Sequence, residues 1–208
     1  MGLPEKKSDH MYTYNEYCSW PDDERWELIN GVAYDMSPAP TSSHQRIAGE
    51  IFFQIKIYLK KSPCESFIAP FDVMLPDYPL NDEDEMNTVV QPDISVICDP
   101  SKIIIKGCLG APDLIVEILS PSTSKKDLNE KFQLYEKHGV REYWIVDPGN
   151  RYIRVFHLQT DGKNLKKYDE GTLTPPANWQ DKNTIAKSVI LDGFRIDVKE
   201  LFDFMNKG

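Results

Sequence analysis

The chain has 208 residues, of which 40% are hydrophobic and 11% aromatic. A chain of this length and composition can bury one sizeable core, and the composition excludes a collagen-like, disordered or repeat protein. Acidic residues outnumber basic residues by 33 to 24, which gives a net charge of −9. This balance argues against tight, non-specific binding of nucleic acid across a broad basic surface, although it leaves a local nucleic-acid contact open.

The sequence carries no pattern typical of a membrane or secreted protein. Its longest apolar run, Leu114 to Leu119, falls short of the roughly 20 residues that a membrane-spanning helix needs. The N-terminus lacks the apolar stretch of a secretory signal. Because Cys18, Cys64, Cys98 and Cys108 show no CxxC or Cys/His spacing, we expect reduced thiols in a cytoplasmic protein rather than a disulfide framework or a zinc site.

The N-terminal part of the chain predicts a short helix, a hairpin and a longer helix. Thr13 is placed to cap a helix over residues 13–19. The segment RWELINGVAYDM predicts a hairpin, because its Asn-Gly pair supplies the two positive-φ positions of a tight turn. Apolar residues then recur at helical spacing over residues 43–61, and the pair Ser42-Ser43 is expected to cap this helix.

The remainder of the chain predicts strands alternating with helices. A helix over residues 124–138 is expected to end at Gly139 in the left-handed conformation. The predicted strands are SFIAPFDVML, VVQPDISVICD, DLIVEILS, REYWIVD and RYIRVFHL, followed by short strands and the terminal helix VKELFDFMNK. This order predicts an α/β protein with a central mixed sheet flanked by helices, an N-terminal hairpin and C-terminal strand and helix elaborations.

Two carboxylates stand in unusually apolar strands. Glu117 lies in the middle of the most apolar strand, where an uncompensated carboxylate costs several kcal/mol. Asp93 starts, or lies just inside, the strand before it. A buried ion pair for Glu117 and a turn-forming role for Asp93 after its proline are the structural alternatives. Two neighbouring strands that each present a carboxylate favour a site for a divalent metal ion.

Lys131 is the third candidate. On the helix that follows the Glu117 strand, Leu128, Phe132 and Tyr135 are expected to face the sheet, and Lys131 falls at the border of this stripe. Its long side chain could cross apolar surface and bring the ammonium over the end of the strand. A solvated helix lysine is the alternative, since several lysines surround it.

These segments together resemble a known nuclease superfamily. QPDISVICD, followed further along by GAPDLIVEILSPSTSKKDLNEKFQLYEKHGVREYWIVDP, resembles the PD-(D/E)XK nucleases. The upstream segment RWELINGVAYDMSPAPTSSHQRIAGEI resembles the N-terminal pattern of one of their families, the restriction-endonuclease-like proteins long catalogued as a domain of unknown function. The resemblance spans about residues 12–205 and implies a single restriction-endonuclease-like domain.

The resemblance assigns a role to each of the three candidates. Asp93 matches the aspartate of the PD motif, and Glu117 matches the second acidic position. The lysine that usually stands two residues after that acid is absent, because position 119 is Leu. The chain resembles members in which the lysine has moved to the following helix, where Lys131 stands.

Further site residues and a cofactor are also implied by the resemblance. Glu27 and His44 match two more polar positions, although an exposed hairpin carboxylate and a helix-start histidine remain the alternatives for them. Asp93, Glu117 and the carbonyl of Ile118 are expected to ligate Mg²⁺ or Mn²⁺, because hard cations prefer oxygen ligands.

The implied function is that of a metal-dependent endonuclease that hydrolyses phosphodiester bonds of DNA. Double-strand cutting by a subunit with one site commonly implies a dimer, so a homodimer is one expectation for the assembly. The main alternative is a catalytically weak nuclease-fold protein that acts as a nucleic-acid or protein interaction module, which the acidic charge and the displaced lysine favour. An enzyme acting on another metal-bound substrate is a third possibility, because fold does not fix function.

Overall fold

The computed structural model describes residues 10–21, 24–36, 39–77, 86–121, 124–160, 166–174 and 184–204. The helices among them are α1 (Tyr14–Tyr17), α2 (Ser42–Tyr58), α3 (Ser124–Leu128), α4 (Glu130–His138) and α5 (Val198–Phe204), with 3₁₀ turns at Leu59–Lys61 and Pro100–Lys102. In these ranges no helix combines the length and the apolar character that crossing a lipid bilayer requires.

The strands of the described residues form two large sheets and one small one. The strands are β1 (Trp26–Ile29), β2 (Val32–Asp35), β3 (Glu65–Ile68), β4 (Asp72–Met74), β5 (Val89–Val90), β6 (Ile94–Ile97), β7 (Ile103–Ile104), β8 (Gly107–Leu109), β9 (Leu114–Ile118), β10 (Glu142–Asp147), β11 (Tyr152–Thr160), β12 (Lys166–Tyr168), β13 (Thr172–Thr174), β14 (Ile185–Lys187) and β15 (Arg195–Asp197). The central sheet has the order β12-β11-β10-β9-β6-β3, with β13 also paired to β11. The second sheet has the order β2-β1-β5-β4-β8-β7, and β14 pairs with β15. The central sheet is mixed, because β9 and β10 run parallel whereas β6 and β9 run antiparallel.

The central sheet buries both of its faces. One face packs against α2 and α5, where Ile51, Val116 and Leu201 belong to a single core cluster. The other face packs against α4, where Ile115 and Tyr135 share a second cluster. All five residues of β9 are buried, as the sequence predicted for this strand. Because side chains alternate along a strand, Glu117 lies on the same face as Ile115, towards α4.

Two predicted strands are each divided between the two large sheets. SFIAPFDVML supplies β3 to the central sheet and β4 to the second sheet, with Pro70 between them. VVQPDISVICD is divided in the same way into β5 and β6 around Pro92. Proline has no N–H group for a sheet ladder, so each proline marks the point where the chain leaves one sheet for the other. The prediction of one strand for each segment, with an interruption at Pro70 in the first, was therefore wrong, because the two halves of each segment lie in different sheets.

The predicted helices hold with two local differences. The N-terminal cap of α2 is Thr41, whose side chain accepts the N–H of His44. The Ser42-Ser43 pair, which the sequence predicted as the cap, instead forms the first two residues of the helix. The predicted helix over residues 124–138 is broken at Asn129 into α3 and α4, and it ends as expected at Gly139, with φ 87°. The break turns Leu128 outwards, and 45% of this residue is exposed rather than facing the sheet.

Cys64 and Cys98 form a disulfide bond, so the prediction of reduced thiols is wrong for these two residues. Glu65 pairs with Ile97 across β3 and β6, which places the two cysteines opposite each other at the ends of these strands. Their separation of 34 residues contains no spacing motif, and only the strand register brings them together. Cys18 and Cys108 are free.

Candidate active site

Asp93 and Glu117 face each other across adjacent strands. Ile94 pairs with Val116 in the antiparallel ladder of β6 and β9, and one step along that register places Asp93 opposite Glu117. The Asp93 N–H lies 3.5 Å from Glu117 Oε2. Asp93 Oδ2 accepts the N–H of Ile118 at 2.7 Å, which fixes this carboxylate against the end of β9. The two carboxylates therefore meet on one side of the sheet, at the start of β6.

Lys131 lies deeper than its sequence position indicated. Only 2% of the residue is exposed, and its ammonium lies between two carboxylates, 2.7 Å from Glu27 Oε1 and 2.8 Å from Glu117 Oε1. Asp127 Oδ1 is 3.8 Å away, one helical turn earlier. Burial opposes the charge of Lys131, but attraction to Glu117 and Glu27 outweighs burial and raises the pKa well above its usual value. The ammonium therefore keeps its proton at neutral pH.

Glu27 is completely buried in β1 and joins the second sheet to this site. Its carboxylate contacts Lys131 and Lys126 and also accepts the N–H of Gln91 at 3.0 Å. Burial alone would raise the pKa of Glu27, but the two lysines more than offset it and lower the pKa to about 2. Glu27 is thus an ionised carboxylate inside the protein, and not an exposed hairpin residue.

His44 reaches the site from the first turn of α2. Its Nε2 lies 3.1 Å from Asp93 Oδ2. Burial opposes protonation of His44, but the hydrogen bond and the charge of Asp93 overcome it and raise the pKa. Its Nδ1 is buried and has no hydrogen-bond partner among the described residues. His44 therefore contacts the site mainly through Asp93, and the backbone of Ile118 and the charge of Glu117 also act on its pKa.

The structure brings together all five predicted side chains and adds two that the sequence did not indicate. Tyr135 donates a hydrogen bond of 2.7 Å from its hydroxyl to Glu117 Oε1, although the helical stripe identified it only as a core residue. Lys126 pairs with Glu27, but in the sequence it is one of several lysines. Lys126 is buried, with 7% of the residue exposed, and this burial follows from the tertiary fold.

The site holds more carboxylates than cations. The described side chains in the network are Glu27, Asp93, Glu117 and Asp127 on the acidic side, against Lys126, Lys131 and His44. Burial raises the pKa of Glu117 to about 8, and although Lys131 lowers it, the charges of Asp127, Asp93 and Glu27 add to the rise. Among the described side chains, Lys131 thus compensates the charge of Glu117 only in part.

Comparison with known proteins identifies the family. The family model described as "Uma2: Putative restriction endonuclease" matches residues 13–192. The chain belongs to this family. The Uma2 family is restriction-endonuclease-like, which confirms the resemblance found in the sequence.

One curated relative and one solved structure extend this result. Uncharacterized protein slr1290 of Synechocystis sp. is 28% identical over 152 residues, which cover 71% of this chain and 74% of the relative. A crystal structure described as a putative nuclease belonging to DUF820, from Anabaena variabilis, superposes with a TM-score of 0.71 at 22% identity and covers 93% of this chain and 98% of that one. The second likeness concerns the fold, and it confirms the predicted mixed α/β class.

The donor set of this Uma2 protein fits a hard divalent cation bound by few protein ligands. In the described ranges, no group of three or more His, Cys, Asp and Glu side chains is arranged to hold a metal ion. Magnesium, however, is commonly bound by one or two carboxylates, with waters and substrate phosphates as its other ligands. Asp93 Oδ1 and Glu117 Oε2 accept no hydrogen bond shorter than 3.5 Å from the described residues. These two oxygens keep lone pairs for a ligand.

Proposed function

We propose that this protein is a Mg²⁺- or Mn²⁺-dependent endonuclease that hydrolyses phosphodiester bonds of DNA. The observation that carries the proposal is the position of Lys131, whose ammonium lies 2.8 Å from Glu117 although it comes from the helix after the strand. Together with Asp93 opposite Glu117, this arrangement supplies two acids and a lysine at one point, from residues separated in sequence. Membership of a restriction-endonuclease-like family supports the same chemistry.

Hydrolysis of a phosphodiester requires a positioned water, compensation of the phosphate charge and assistance to the leaving oxygen. Asp93, Glu117 and the carbonyl of Ile118 would hold the cation, which supplies charge compensation at the scissile phosphate when bound. Lys131 keeps its proton, so we assign it to orienting the attacking water and to stabilising negative charge rather than to removing a proton.

Glu27 and His44 would act on the residues around them. Glu27 contacts the Lys131 ammonium at 2.7 Å and thereby helps to fix its position. His44 holds the Asp93 carboxylate through Nε2. We assign both as positioning residues, because their described contacts are to other members of the site.

Nicking of supercoiled plasmid DNA with Mg²⁺, Mn²⁺ or EDTA tests the proposal. We expect cleavage with either metal, none with EDTA, and a loss of at least about 100-fold in Asp93→Asn, since the residue would contribute to charge stabilisation at the reaction centre. Asp203→Asn is the matched control, because this aspartate forms a surface ion pair on α5. Equal activity in the two variants would show that Asp93 is not part of the reaction centre.

A non-catalytic interaction module is the second candidate function. Lys131 already has two carboxylate partners, which is also how a structural ion-pair network is built. A melting temperature indifferent to Mn²⁺, together with no nicking, would favour the module. For the catalytic form, a homodimer stays the prediction for double-strand cutting.

A further inference from the structure

An aromatic pocket lies beside the candidate active site. Its volume is about 320 Å³, at the lower end of the roughly 300–1,000 Å³ of small-molecule sites. Tyr14, Tyr17, Trp20 and Trp26 form its aromatic lining. The Trp20 ring meets the rings of Tyr17 and Trp26 edge-on, with centroids 5.3 and 5.7 Å apart. Such a lining offers flat apolar surface to a planar ligand.

The polar lining of this pocket is rich in hydrogen-bond acceptors. Asp72 Oδ1 accepts hydrogen bonds from Gln91 Nε2 at 2.9 Å and from the Tyr17 hydroxyl at 3.1 Å. Asp72 Oδ2 accepts only a longer bond of 3.3 Å from the same hydroxyl among the described residues. Arg25 donates to Gln91 Oε1 and orients this amide. A planar ligand with N–H donors in the plane of its ring could donate a further hydrogen bond to the Asp72 carboxylate.

Gln91 connects the pocket to the candidate active site. Its side chain lies in the pocket, whereas its backbone N–H donates to Glu27 Oε1. It also precedes Asp93 by two residues, and Trp26 directly precedes Glu27. Gln91 therefore contacts both the pocket, through its side chain, and the candidate active site, through its backbone N–H.

The hairpin between β7 and β8 presents an apolar side chain next to this pocket. Ile105, at its tip, is fully exposed, and Ile104 is 40% exposed. The adjacent Lys106 lines the pocket. Gly107 anchors the hairpin: it pairs with Asp72, and a Cβ at this position would lie 2.1 Å from the Asp72 carbonyl oxygen. The position of Ile105 is thus fixed relative to the polar lining of the pocket.

We propose that the pocket binds a single unstacked nucleobase of the DNA strand, and that Ile105 fills the gap which this base leaves in the stack. The inference rests on the proposed function, because it takes DNA as the substrate. Bases stack on aromatic side chains irrespective of sequence, and proteins that unstack DNA insert apolar side chains between base steps. The acceptors of Asp72 favour bases with an exocyclic amino group, as carboxylates do when they read cytosine.

A quaternary ammonium ligand is the competing occupant of an aromatic pocket. The acidic lining residues Asp72 and Glu24 would attract such a ligand. Lys106 opposes it, because its ammonium lies 5.9 Å from the centroid of the Tyr14 ring and would repel a second cation. The same positive charge suits a nucleotide, whose phosphate could approach Lys106 while its base stacks.

Cys18 provides a direct test, because it lines the pocket and is an exposed free cysteine. Duplex DNA is prepared with a short alkyl disulfide on the exocyclic amine of one base, and the rate of disulfide exchange with the protein is measured in EDTA, so that no strand is cut. The labelled base is placed in a matched pair, opposite a mismatch, or in a single strand. Cys18→Ser identifies the crosslinked residue. Val189→Ser is the matched control for Ile105→Ser, since Val189 is an exposed apolar residue elsewhere on the surface.

The mismatched base should crosslink to Cys18 at least about tenfold faster than the paired base, because an unpaired base costs less to extrude. Ile105→Ser should slow the crosslink on matched duplex by about tenfold and leave the single-strand rate unchanged, since the wedge acts only on a stacked duplex. Val189→Ser should behave as wild type.

Four results would overturn the inference. Equal rates for paired and mismatched bases, or Ile105→Ser indistinguishable from Val189→Ser, would reject the base pocket, while metal-dependent plasmid nicking would leave the proposed function standing. Absence of both crosslinking and nicking would reject the two together. Protection of Cys18 by tetramethylammonium, but not by deoxynucleosides, would assign the pocket to a cation.

Discussion

Replacement of Lys131 by Met should destabilise the protein by about 3–5 kcal/mol, the cost of removing one partner from a buried ion pair. We expect the upper part of this range, because the change removes the counter-charge of two carboxylates, Glu27 and Glu117, which each lie less than 3 Å from the ammonium. Methionine keeps the length of the side chain and a good helix propensity, so the loss reports the missing charge. Lys137→Met is the control on the same helix. Its lysine forms an exposed ion pair with Asp77, worth less than about 1 kcal/mol.

The double variant Lys131→Met/Glu117→Gln isolates the electrostatic part of this loss. In this variant Glu117 no longer carries a charge, and Glu27 keeps Lys126 as its counter-charge. Neither of the two carboxylates that contacted Lys131 is then left as an unpaired charge. The double variant should recover about 2 kcal/mol or more of the lost stability, within the range measured for coupled residues. Urea unfolding in EDTA at pH 9, above the pKa of Glu117, compares wild type, Lys131→Met, Glu117→Gln, the double variant and Lys137→Met. Additive losses would refute the reasoning, because they would show that Lys131 stabilises the fold by packing and not by its charge.

Two further predictions concern stability without metal. The pKa of Glu117 rises from an unfolded value of 4.5 to about 8, so the destabilisation by its charge grows between these pH values and is complete above the higher one. From pH 6 to pH 9 wild type should therefore lose roughly 2–3 kcal/mol more of its unfolding free energy than Glu117→Gln. Parallel pH profiles from chemical unfolding in EDTA would contradict this. Cys64→Ser should lower the unfolding free energy by about 2–4 kcal/mol under oxidising conditions and leave it unchanged under reducing conditions. Thermal melts with and without dithiothreitol measure this, and a loss of stability under both conditions would indicate a packing defect instead.

The sequence predicted those parts of the site that depend on local pattern. Glu117 stands out because it interrupts a buried apolar strand, and Asp93 because it opens the strand before it. Glu27 and His44 came from the family resemblance, since nothing in a hairpin glutamate or a helix-start histidine distinguishes it from a surface residue. Lys126 could not be predicted, because its burial follows from the contact of α3 with β1, which no periodicity records.

The strand register explains the remaining differences between sequence and structure. Pro70 and Pro92 each interrupt a run with strand character on both sides, and local pattern does not reveal that the two halves enter different sheets. The Cys64–Cys98 disulfide likewise depends on β3 lying beside β6. The short segments were assigned well from turn chemistry, as at Asn30 and Gly31, which have the positive φ values of 48° and 77° that the predicted turn requires.

The charge balance of the site is itself an argument for function. A buried ion-pair network is weak evidence for stability, because apolar residues of similar volume often stabilise a fold at least as well. A network serving only the fold would also be expected to balance its charges, yet here Glu117 carries a pKa raised to about 8 by burial and by its acidic neighbours. Proteins commonly accept such a cost where a ligand later removes it. The raised pKa of Glu117, which faces Asp93, therefore supports our proposal that a cation binds between these two carboxylates.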